Sequence, residues 1–477
     1  MKSTLWIIPV LVFAGCRTTE KILNDYEKDL LSGNYAHAAI EVGEKAAEED
    51  KSELFWRLQL AGAQYLQDDK DAAIATFDRA EDIFHAVDSR SGVSKGTTGT
   101  WAMLTNEKAF PYEGGGEDRI FTCFYKAVDY MTSGNIAAAR TELNRAAQHQ
   151  ANWIDERQAA IAEAREKFEK DAKEYAEKEK SDTDAAQKAS DAAEGNDEFN
   201  EMIREKTGYD AEQSGRLESL VLGAYMNAYV QHVCGVFRWL QGDGGREYIR
   251  TAKDVKPDNS LIAADFESVD TKKPKNQVWI YVEDGLCPVR EEWRLDLPIA
   301  LIPYANKYVL YAGMALPLLK ERAAACSNYE VLSGDVMTSM VEIEDIDHLL
   351  RTEYDVYFRA CLAREISRTV IKVGVQAGCG IAAETTNNSH VKLGFRIAQG
   401  ASAAWALATT GADIRTWTAL PKKVYAIRVK RPADGKLTLR GNGLPIAEIE
   451  LPKGNSMVFV RKVSPSAPAV VKTAVFK

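Results

Sequence analysis

Apolar residues follow a different period in each half of the chain. In the first half, Ala39 and Ala46 are each followed 34 residues later by an equivalent alanine, Ala73 or Ala80, within two similar helical patterns. In the second half, apolar residues form short β-rich runs, of which 278–282 is the first. This change of period predicts an α+β fold that is helical first and β-rich afterwards.

The helical half has features of a repeat array, since 34 residues is the tetratricopeptide period. The stretch 33–39 (GNYAHAA) also recurs as 134–140 (GNIAAAR). Small residues at a helix crossing let two antiparallel helices approach, while Tyr or Phe fills the groove beside them. We expect stacked tetratricopeptide-like repeats over 16–151 and a further repeat-like helix pair over 217–263. The alternative is an unrelated alanine-rich helical bundle.

A charged segment interrupts this predicted array. Residues 152–216 are dominated by Ala, Glu, Lys and Asp and contain pairs such as Glu166 with Lys170, which favour a solvated helix. Apolar residues become sparse over 181–196, so partial disorder is expected there. We interpret 152–216 as a charged helical, partly disordered insertion.

The second half is typical of a β-sandwich, because its β-rich runs are short and closely spaced turns separate them. Asp434-Gly435, for example, is a hairpin signal between two runs. The predicted β-rich domain covers 277–463 and carries a helical insertion at about 343–412. A flexible tail is expected over 464–477.

The N-terminus has the layout of an export signal. Lys2 is followed by an apolar run over 5–13 that is too short to span a bilayer, and Ala and Gly precede Cys16. The stretch 13–16 (FAGC) resembles the bacterial lipoprotein signal, with Phe13 in place of the usual leucine. The resemblance implies that a signal peptide, 1–15, is removed and that Cys16 carries several acyl chains, which give stable anchoring. The alternative is an ordinary secretory signal with a chance cysteine.

Composition restricts the partners and cofactors of the protein. The 477-residue chain is 45% hydrophobic with a formal net charge of −10, which excludes disorder of the whole chain and argues against a nucleic-acid partner. Apart from Cys16, the cysteines show no zinc-ligand or CxxC spacing, and the 6 histidines are scattered. We expect mostly free thiols, no bound metal and no other cofactor.

Three stretches resemble a group of uncharacterised bacterial lipoproteins with N-terminal tetratricopeptide-like repeats and a C-terminal β-rich domain. In the family's order they are 125–130 (YKAVDY), 284–292 (DGLCPVREE) and 412–421 (ADIRTWTALP). The chain departs from the family pattern at Cys287, Arg290 and Ile414. The family has no established reaction, so the resemblance implies an architecture and an anchored location but no chemistry.

The strongest candidate for a ligand site is 413–417 (DIRTW). Asp413, Arg415 and Trp417 could hold a charged or sugar-like ligand, since Arg forms bidentate hydrogen bonds and an indole stacks. We favour a structural interpretation, in which Arg415 pairs with a nearby carboxylate and Trp417 plugs the junction between the helical insertion and the sandwich.

A second candidate is a line of cations on one helix face, formed by Arg364, Arg368 and Lys372 at i, i+4 and i+8. The line could contact anionic lipid head groups, a glycan phosphate or an acidic partner. A solvated face, or pairing with acids of the repeats, is the favoured interpretation. No motif in the sequence indicates a catalytic residue.

The sequence thus favours a non-enzymatic, lipid-anchored protein of the bacterial cell envelope that binds envelope proteins through its repeats. Arg17, in the place where aspartate marks inner-membrane retention, indicates the outer membrane facing the periplasm. The alternative is a module or hydrolase that binds peptidoglycan or surface glycan, a cell-wall glycan, through the β-rich domain.

Overall fold

A computed structural model describes the chain from residue 8 to residue 476. The parts outside the description are 49, 91–107, 109, 156–200, 202–203, 206–225, 272 and 297–308. For 8–18, and for some later helical positions that include Arg364, the description covers the backbone alone. Most of the predicted insertion over 152–216 lies outside the described residues.

Helices fill the described part of the first half and return once in the second. In chain order they are α1 (Ile8–Ser32), α2 (Tyr35–Ala46), α3 (Glu53–Gln67), α4 (Lys70–Arg90), α5 (Gly116–Thr132), α6 (described over 136–155), α7 (Ala228–Gln241), α8 (Arg246–Val255), α9 (Ser260–Ser268), α10 (Ile346–Thr385) and α11 (Ser389–Thr409). From α1 to α5 each helix packs on the next one along the chain.

The repeated Gly-Asn sequence builds the same turn twice. Gly33 and Gly134 both have a φ of 79°, a left-handed conformation that glycine adopts without the Cβ penalty of other residues. In both turns the asparagine N–H donates over 2.8 Å to a carbonyl of the preceding helix, that of Asp29 or Tyr130. The identical geometry explains why the sequence recurs at these two places. Assignment of the helices to the tetratricopeptide class stays a prediction.

The strands of the described part of the chain form three sheets. They are β1 (Gln277–Asp284), β2 (Val289–Asp296), β3 (Gly313–Lys320), β4 (Tyr329–Ser333), β5 (Val336–Ser339), β6 (Val341–Asp345), β7 (Lys423–Lys430), β8 (Lys436–Gly441), β9 (Leu444–Glu450), β10 (Asn455–Lys462) and β11 (Val470–Phe476). A five-stranded sheet has the order β11-β10-β1-β7-β6, a four-stranded sheet has the order β5-β4-β8-β9, and β2 pairs with β3. Within the five-stranded sheet, β1 and β10 run parallel.

The five-stranded sheet is covered on both faces. In β1, Val278, Ile280 and Val282 face the four-stranded sheet and share a core with it, as the alternation of a strand requires. The intervening Trp279 and Tyr281 belong to a second core that also contains the apolar faces of the first-half helices. The order of layers is therefore helices, five-stranded sheet, four-stranded sheet.

The α+β class, with a helical N-terminal region followed by a β-rich C-terminal one, is confirmed. One boundary needs correction, because residues 464–477, expected to form a flexible tail, contain strand β11. Its alternate residues Lys472, Ala474 and Phe476 are buried, and the strand pairs antiparallel with β10. A lysine lies at the centre of this strand and interrupts its alternating apolar residues, so the composition of the segment did not predict a strand.

Helices α10 and α11 lie between β6 and β7 in the chain. The first part of α10 packs on β3 through a core that contains Tyr354 and Phe358, and its second part packs on α11. None of the described helices combines the length with the apolar composition that a bilayer-crossing segment requires.

Candidate functional site

The segment 412–421 runs from the end of α11 to β7 along helix α3. One side-chain amide on α3 holds it there, since Gln59 Nε2 donates to the Thr416 carbonyl over 2.7 Å. The other end of that amide, Oε1, accepts from the Thr418 hydroxyl over 2.7 Å and from its backbone N–H over 3.2 Å. Three hydrogen bonds from one residue thus fix this segment on the first-half helices.

Arg415 is saturated by protein groups. Its guanidinium makes a bidentate pair with Asp413, with distances of 2.9 and 2.7 Å, and donates to the carbonyls of Lys51 and Phe110. It also lies over the ring of Tyr112, 5.4 Å from the centroid. Burial alone would raise the pKa of Asp413, but the hydrogen bonds and charge of Arg415 hold it below its ordinary value.

Trp417 is part of the core between the helices and the sheet, with 2% of its surface exposed. Its indole meets the rings of Phe77 and Tyr125 edge-on, at centroid distances of 5.8 and 5.9 Å. Gly62 gives it room, because a Cβ there would lie 2.9 Å from the indole Nε1. Asp413, Arg415 and Trp417 therefore form a buried junction, which supports the structural interpretation over the ligand one. The junction lies between the first-half helices and the sheet, whereas the expected one lay between the helical insertion and the sandwich.

The predicted line of cations departs from the solvated face that its spacing suggests. Arg368 and Lys372 are buried, with 4% and 5% of their surfaces exposed, because β3 and α11 cover this face of α10. Arg368 forms an ion pair with the buried Glu365 on its own helix. The side chain of Arg364 lies outside the described residues.

A buried carboxylate that the sequence did not single out lies at the centre of the helix–sheet interface. Glu283 on β1 accepts hydrogen bonds from the Tyr125 and Tyr229 hydroxyls, over 3.1 and 3.0 Å, and its carboxylate is 3.6 Å from Arg461 Nε. Burial raises the pKa of Glu283, while the charge of Arg461 opposes that shift. One side chain thus links α5, α7, β1 and β10.

A second buried ion pair crosses the same interface. Lys472 on β11 lies 2.6 Å from the carboxylate of Asp129 on α5 and 3.1 Å from that of Asp68. Its ammonium also lies over the ring of Tyr65, 3.9 Å from the centroid. Burial raises the pKa of Asp129 to about 6, even though the nearby Lys472 acts to lower it.

A third network surrounds Asp265 on α9. Its Oδ2 accepts from His232 Nε2 over 2.9 Å and from the Trp279 indole N–H over 2.8 Å. The other histidine nitrogen, Nδ1, lies 3.0 Å from the Tyr281 hydroxyl, and Arg428 forms an ion pair with Asp265. The Asp265 bond makes Nε2 a donor, so Nδ1 is free to accept from tyrosine in the neutral ring.

Three potential metal ligands meet in the helical half, where Glu81, Cys123 and Glu142 offer atoms within 4.8 Å of one another. The ammonium of Lys126 lies among them, 2.6 Å from Glu81 and 3.2 Å from Glu142, and supplies the positive charge these carboxylates need. Burial raises the pKa of the Cys123 thiol well above its ordinary value, and the thiol donates to the Glu81 carboxylate over 3.1 Å. The cluster works as a buried ion-pair group.

These networks perturb pKa values as catalytic sites do, but each of their charges has an internal partner. The sequence indicates these networks only in part. Glu283 and Asp284 end a β-rich run, and in the sequence they have the pattern of a surface turn. Their burial depends on helices far away in the chain. The arrangement joins the helical and β-rich halves into one body.

A shallow groove of about 430 Å³ lies at the C-terminal end of α1. It is lined by Asn24, Glu27, Lys28, Leu31, Ser32 and Ser466. Leu31 is 38% exposed in it, and Ile40 on α2 is 71% exposed. Large apolar side chains in water at the edge of a groove are candidate contacts for a protein partner.

Of the cysteines whose side chains are described, six are free thiols: Cys123, Cys234, Cys287, Cys326, Cys361 and Cys379. Cys16 lies within α1, but its side chain is outside the description, so its lipidation stays a prediction. Comparisons with protein families, with curated proteins and with solved structures found no match to this chain.

Proposed function

We propose that this protein is a lipid-anchored assembly factor of the bacterial cell envelope, in which tetratricopeptide-like helices recruit another envelope protein. One observation carries the proposal: the helix that contains Cys16 continues without a break into the protein core. In α1, Tyr26 and Leu30 are fully buried, and the Tyr26 hydroxyl donates to the Gln59 carbonyl over 2.7 Å.

This continuity defines how the body would be held. At 1.5 Å of rise per residue, Cys16 lies about 15 Å along α1 from Tyr26. Acyl chains on Cys16 would therefore hold the folded body close to the bilayer rather than at the end of a long linker. A body held close to the bilayer stays among the other proteins of the envelope surface, which suits an assembly role.

The partner surface is assigned to the outside of the helices. Stacked helical repeats often bind on their concave side, but here the chain's own five-stranded sheet, through Trp279 and Phe459, packs against the helices. The first helices offer a second protein the groove at the end of α1 and the exposed side chains of Leu31 and Ile40.

A second candidate function is binding of cell-wall glycan by the β-rich region. It is favoured by exposed side chains on the two edge strands of the four-stranded sheet, where Val336, Met337 and Leu444 are 64%, 47% and 68% exposed. Exposed edges can accept an elongated partner. Sedimentation with purified cell wall separates the candidates, because the leading proposal expects no wall binding.

The test of the leading proposal is cross-linking in a bacterial host that processes lipoproteins, followed by purification through a tag. The double variant Leu31→Glu and Ile40→Glu is expected to capture at least about tenfold less of a defined envelope protein, because charge enters an apolar contact. Leu444→Glu, with the same change of charge on β9, is the matched control and should capture as much as the wild type.

The anchor is tested in the same host with Cys16→Ser. Serine lacks the thiol that is acylated, so the variant should accumulate as unprocessed precursor without fatty-acid label. Equal label on both proteins contradicts the anchor. A captured protein that is unchanged in the Leu31 and Ile40 variant but lost with Leu444→Glu would move the binding surface to the β-rich region.

A further inference from the structure

The hairpin formed by α10 and α11 exposes an unusual amount of apolar surface. Its exposed large apolar side chains are Val375, Ile381, Val391, Leu393, Ile397, Trp405 and Leu407. Single exposed apolar residues are common on soluble proteins, whereas a contiguous group marks an interaction surface. This group lies on one helical hairpin and accounts for much of the exposed apolar surface in the described chain.

The first half of α11 is exposed on nearly all sides. Every residue over 389–394 is exposed, and Leu393 and Ile397 are 59% and 63% exposed. The described buried residues of α11 are Gln399, Ala403 and Ala406, which form a stripe along the helix. Helix α11 packs on α10. An apolar helix that water surrounds on so many sides normally has a partner or an apolar environment.

The charge of this hairpin is opposite in sign to that of the chain. The stretch 385–412 contains no Asp or Glu but has Lys392 and Arg396, in a protein with a formal net charge of −10. Lys392 is exposed, and Arg396 lies 3.6 Å from its nearest acidic neighbour, Glu384. Exposed cations beside apolar side chains are complementary to anionic lipid head groups and the acyl region beneath them.

Trp405 adds a group suited to the same environment. Its side chain is 38% exposed on the second half of α11, and the ammonium of Lys372 lies 5.7 Å from its ring centroid. Tryptophan is enriched at the level of lipid head groups, because its ring is apolar and its N–H is polar. The exposed cations of the hairpin's second helix are Lys392 and Arg396, whereas Arg368 and Lys372 of α10 are buried.

The position of the hairpin agrees with a bilayer as its partner. Helix α1, which contains Cys16, contacts α11. Acyl chains on Cys16 would bring the bilayer to the side of the molecule that carries the hairpin. This step rests on the proposed anchor, whereas the exposure and the charge of the hairpin do not.

We propose that the α10–α11 hairpin docks in the plane of an anionic lipid surface, with Leu393, Ile397 and Trp405 in the interfacial region and Lys392 on the head groups. The mode is interfacial, because the described helices include no candidate bilayer span. The hairpin is thereby a second membrane contact, and it fixes the orientation of a body that the acyl chains only tether.

The test uses the mature chain from residue 16 with Cys16→Ser, so that acylation plays no part. Flotation with phosphatidylglycerol-rich vesicles should recover the protein, with binding at least about tenfold weaker to pure phosphatidylcholine vesicles. The part of the tryptophan emission that Trp405→Phe removes should shift to shorter wavelength on binding. The variant Leu393→Gln with Ile397→Gln should bind at least about tenfold more weakly, since it removes buried apolar area from the bound state.

The matched control is Val336→Gln with Met337→Gln, which makes the same kind of change at two exposed apolar residues on β5 and should bind like the parent. Both variants are expected to keep the parent's thermal midpoint, which shows that the fold is intact. Equal vesicle binding by the α11 variant and the parent overturns the proposal. Self-association that the α11 variant abolishes, without vesicle binding, assigns the hairpin to a second copy and also overturns it.

Discussion

Lys372 keeps an ammonium group in a largely apolar setting between α10 and α11. It is 5% exposed, and its nearest polar neighbours are the Thr410 hydroxyl at 3.4 Å and the Ala406 carbonyl at 3.5 Å. Burial lowers the pKa of Lys372 to about 8 from an ordinary value of 10.5, with the nearby Arg368 adding to the shift. The folded protein therefore holds this proton less strongly than the unfolded chain does.

That difference makes stability depend on pH. From about pH 8 to 10.5 the folded state has lost the Lys372 proton and the unfolded state retains it, so this group favours folding more as pH rises. At pH 7 the buried charge is a cost, and Lys372→Met should raise the free energy of unfolding by about 2 kcal/mol. The gain should shrink by pH 10. Urea unfolding at both pH values measures it, and a loss of stability at pH 7 contradicts the assignment.

At the scale of residues, local sequence indicates the chemistry of a side chain but not its surroundings. The pairing of Arg415 with a nearby carboxylate could be predicted, because Asp413 is only two positions from the arginine. Glu283 could not, since its partners Tyr125, Tyr229 and Arg461 come from three distant segments. In the sequence, a carboxylate next to Asp-Gly has the pattern of a surface turn. In the structure, those three segments cover it.

At the scale of elements, the pair of Lys472 and Asp129 attaches the last strand to a helix of the first half. Lys472 is 4% exposed and Asp129 is fully buried, so each depends on the other for its charge. Removing one partner of a buried ion pair leaves an uncompensated charge, which costs about 3–5 kcal/mol. Replacing both by apolar residues of similar size removes that cost.

We therefore expect Lys472→Met to lower the free energy of unfolding by about 3 kcal/mol and the double variant with Asp129→Leu to recover most of it. A double-mutant cycle by urea unfolding measures the coupling. Lys436→Met, a change at an exposed lysine on β8, is the control and should lie within about 0.5 kcal/mol of the wild type. Additive effects of the two single changes would refute the coupling.

Elements with a strong period of their own were predictable from the sequence. Strands β7, β8 and β10 lie within one residue of the β-rich runs that the sequence shows at 424–431, 436–440 and 456–462. The short strands β4 and β5 were not predictable, because strands of five and four residues are too short to show a clear alternation of apolar and polar residues. Strand β11 was missed because Lys472, its central residue, is a charge that burial and pairing accommodate.

At the scale of the whole molecule, one core spans the helices and the five-stranded sheet. It contains Phe121 and Phe124 from α5, Tyr229 from α7, and Trp279 and Phe459 from the sheet. Sequence periodicity predicted the order of the two halves. It could not predict that they share a core, since each half has apolar faces that could equally have been covered by elements of its own.

A shared core predicts cooperative unfolding. In the chain from residue 16, far-ultraviolet circular dichroism reports mainly on the helices, and tryptophan fluorescence reports on all of its tryptophans, among them Trp279 and Trp417 at the helix–sheet interface. Both signals should follow one transition with the same urea midpoint, because neither half keeps its core when the other unfolds. Two separate midpoints would show that the halves are independent domains.

The parallel pairing of β1 with β10 also has a consequence for export. The central strand of the main sheet receives this neighbour only from the last part of the chain, and β11 follows later still. A nascent chain cannot close the sheet before the ribosome has released its C-terminus, so the helices lack the surface on which they pack. If the chain is exported, as proposed, the incomplete polypeptide is still unfolded enough to thread through a secretion channel, and folding is completed on the far side of the membrane.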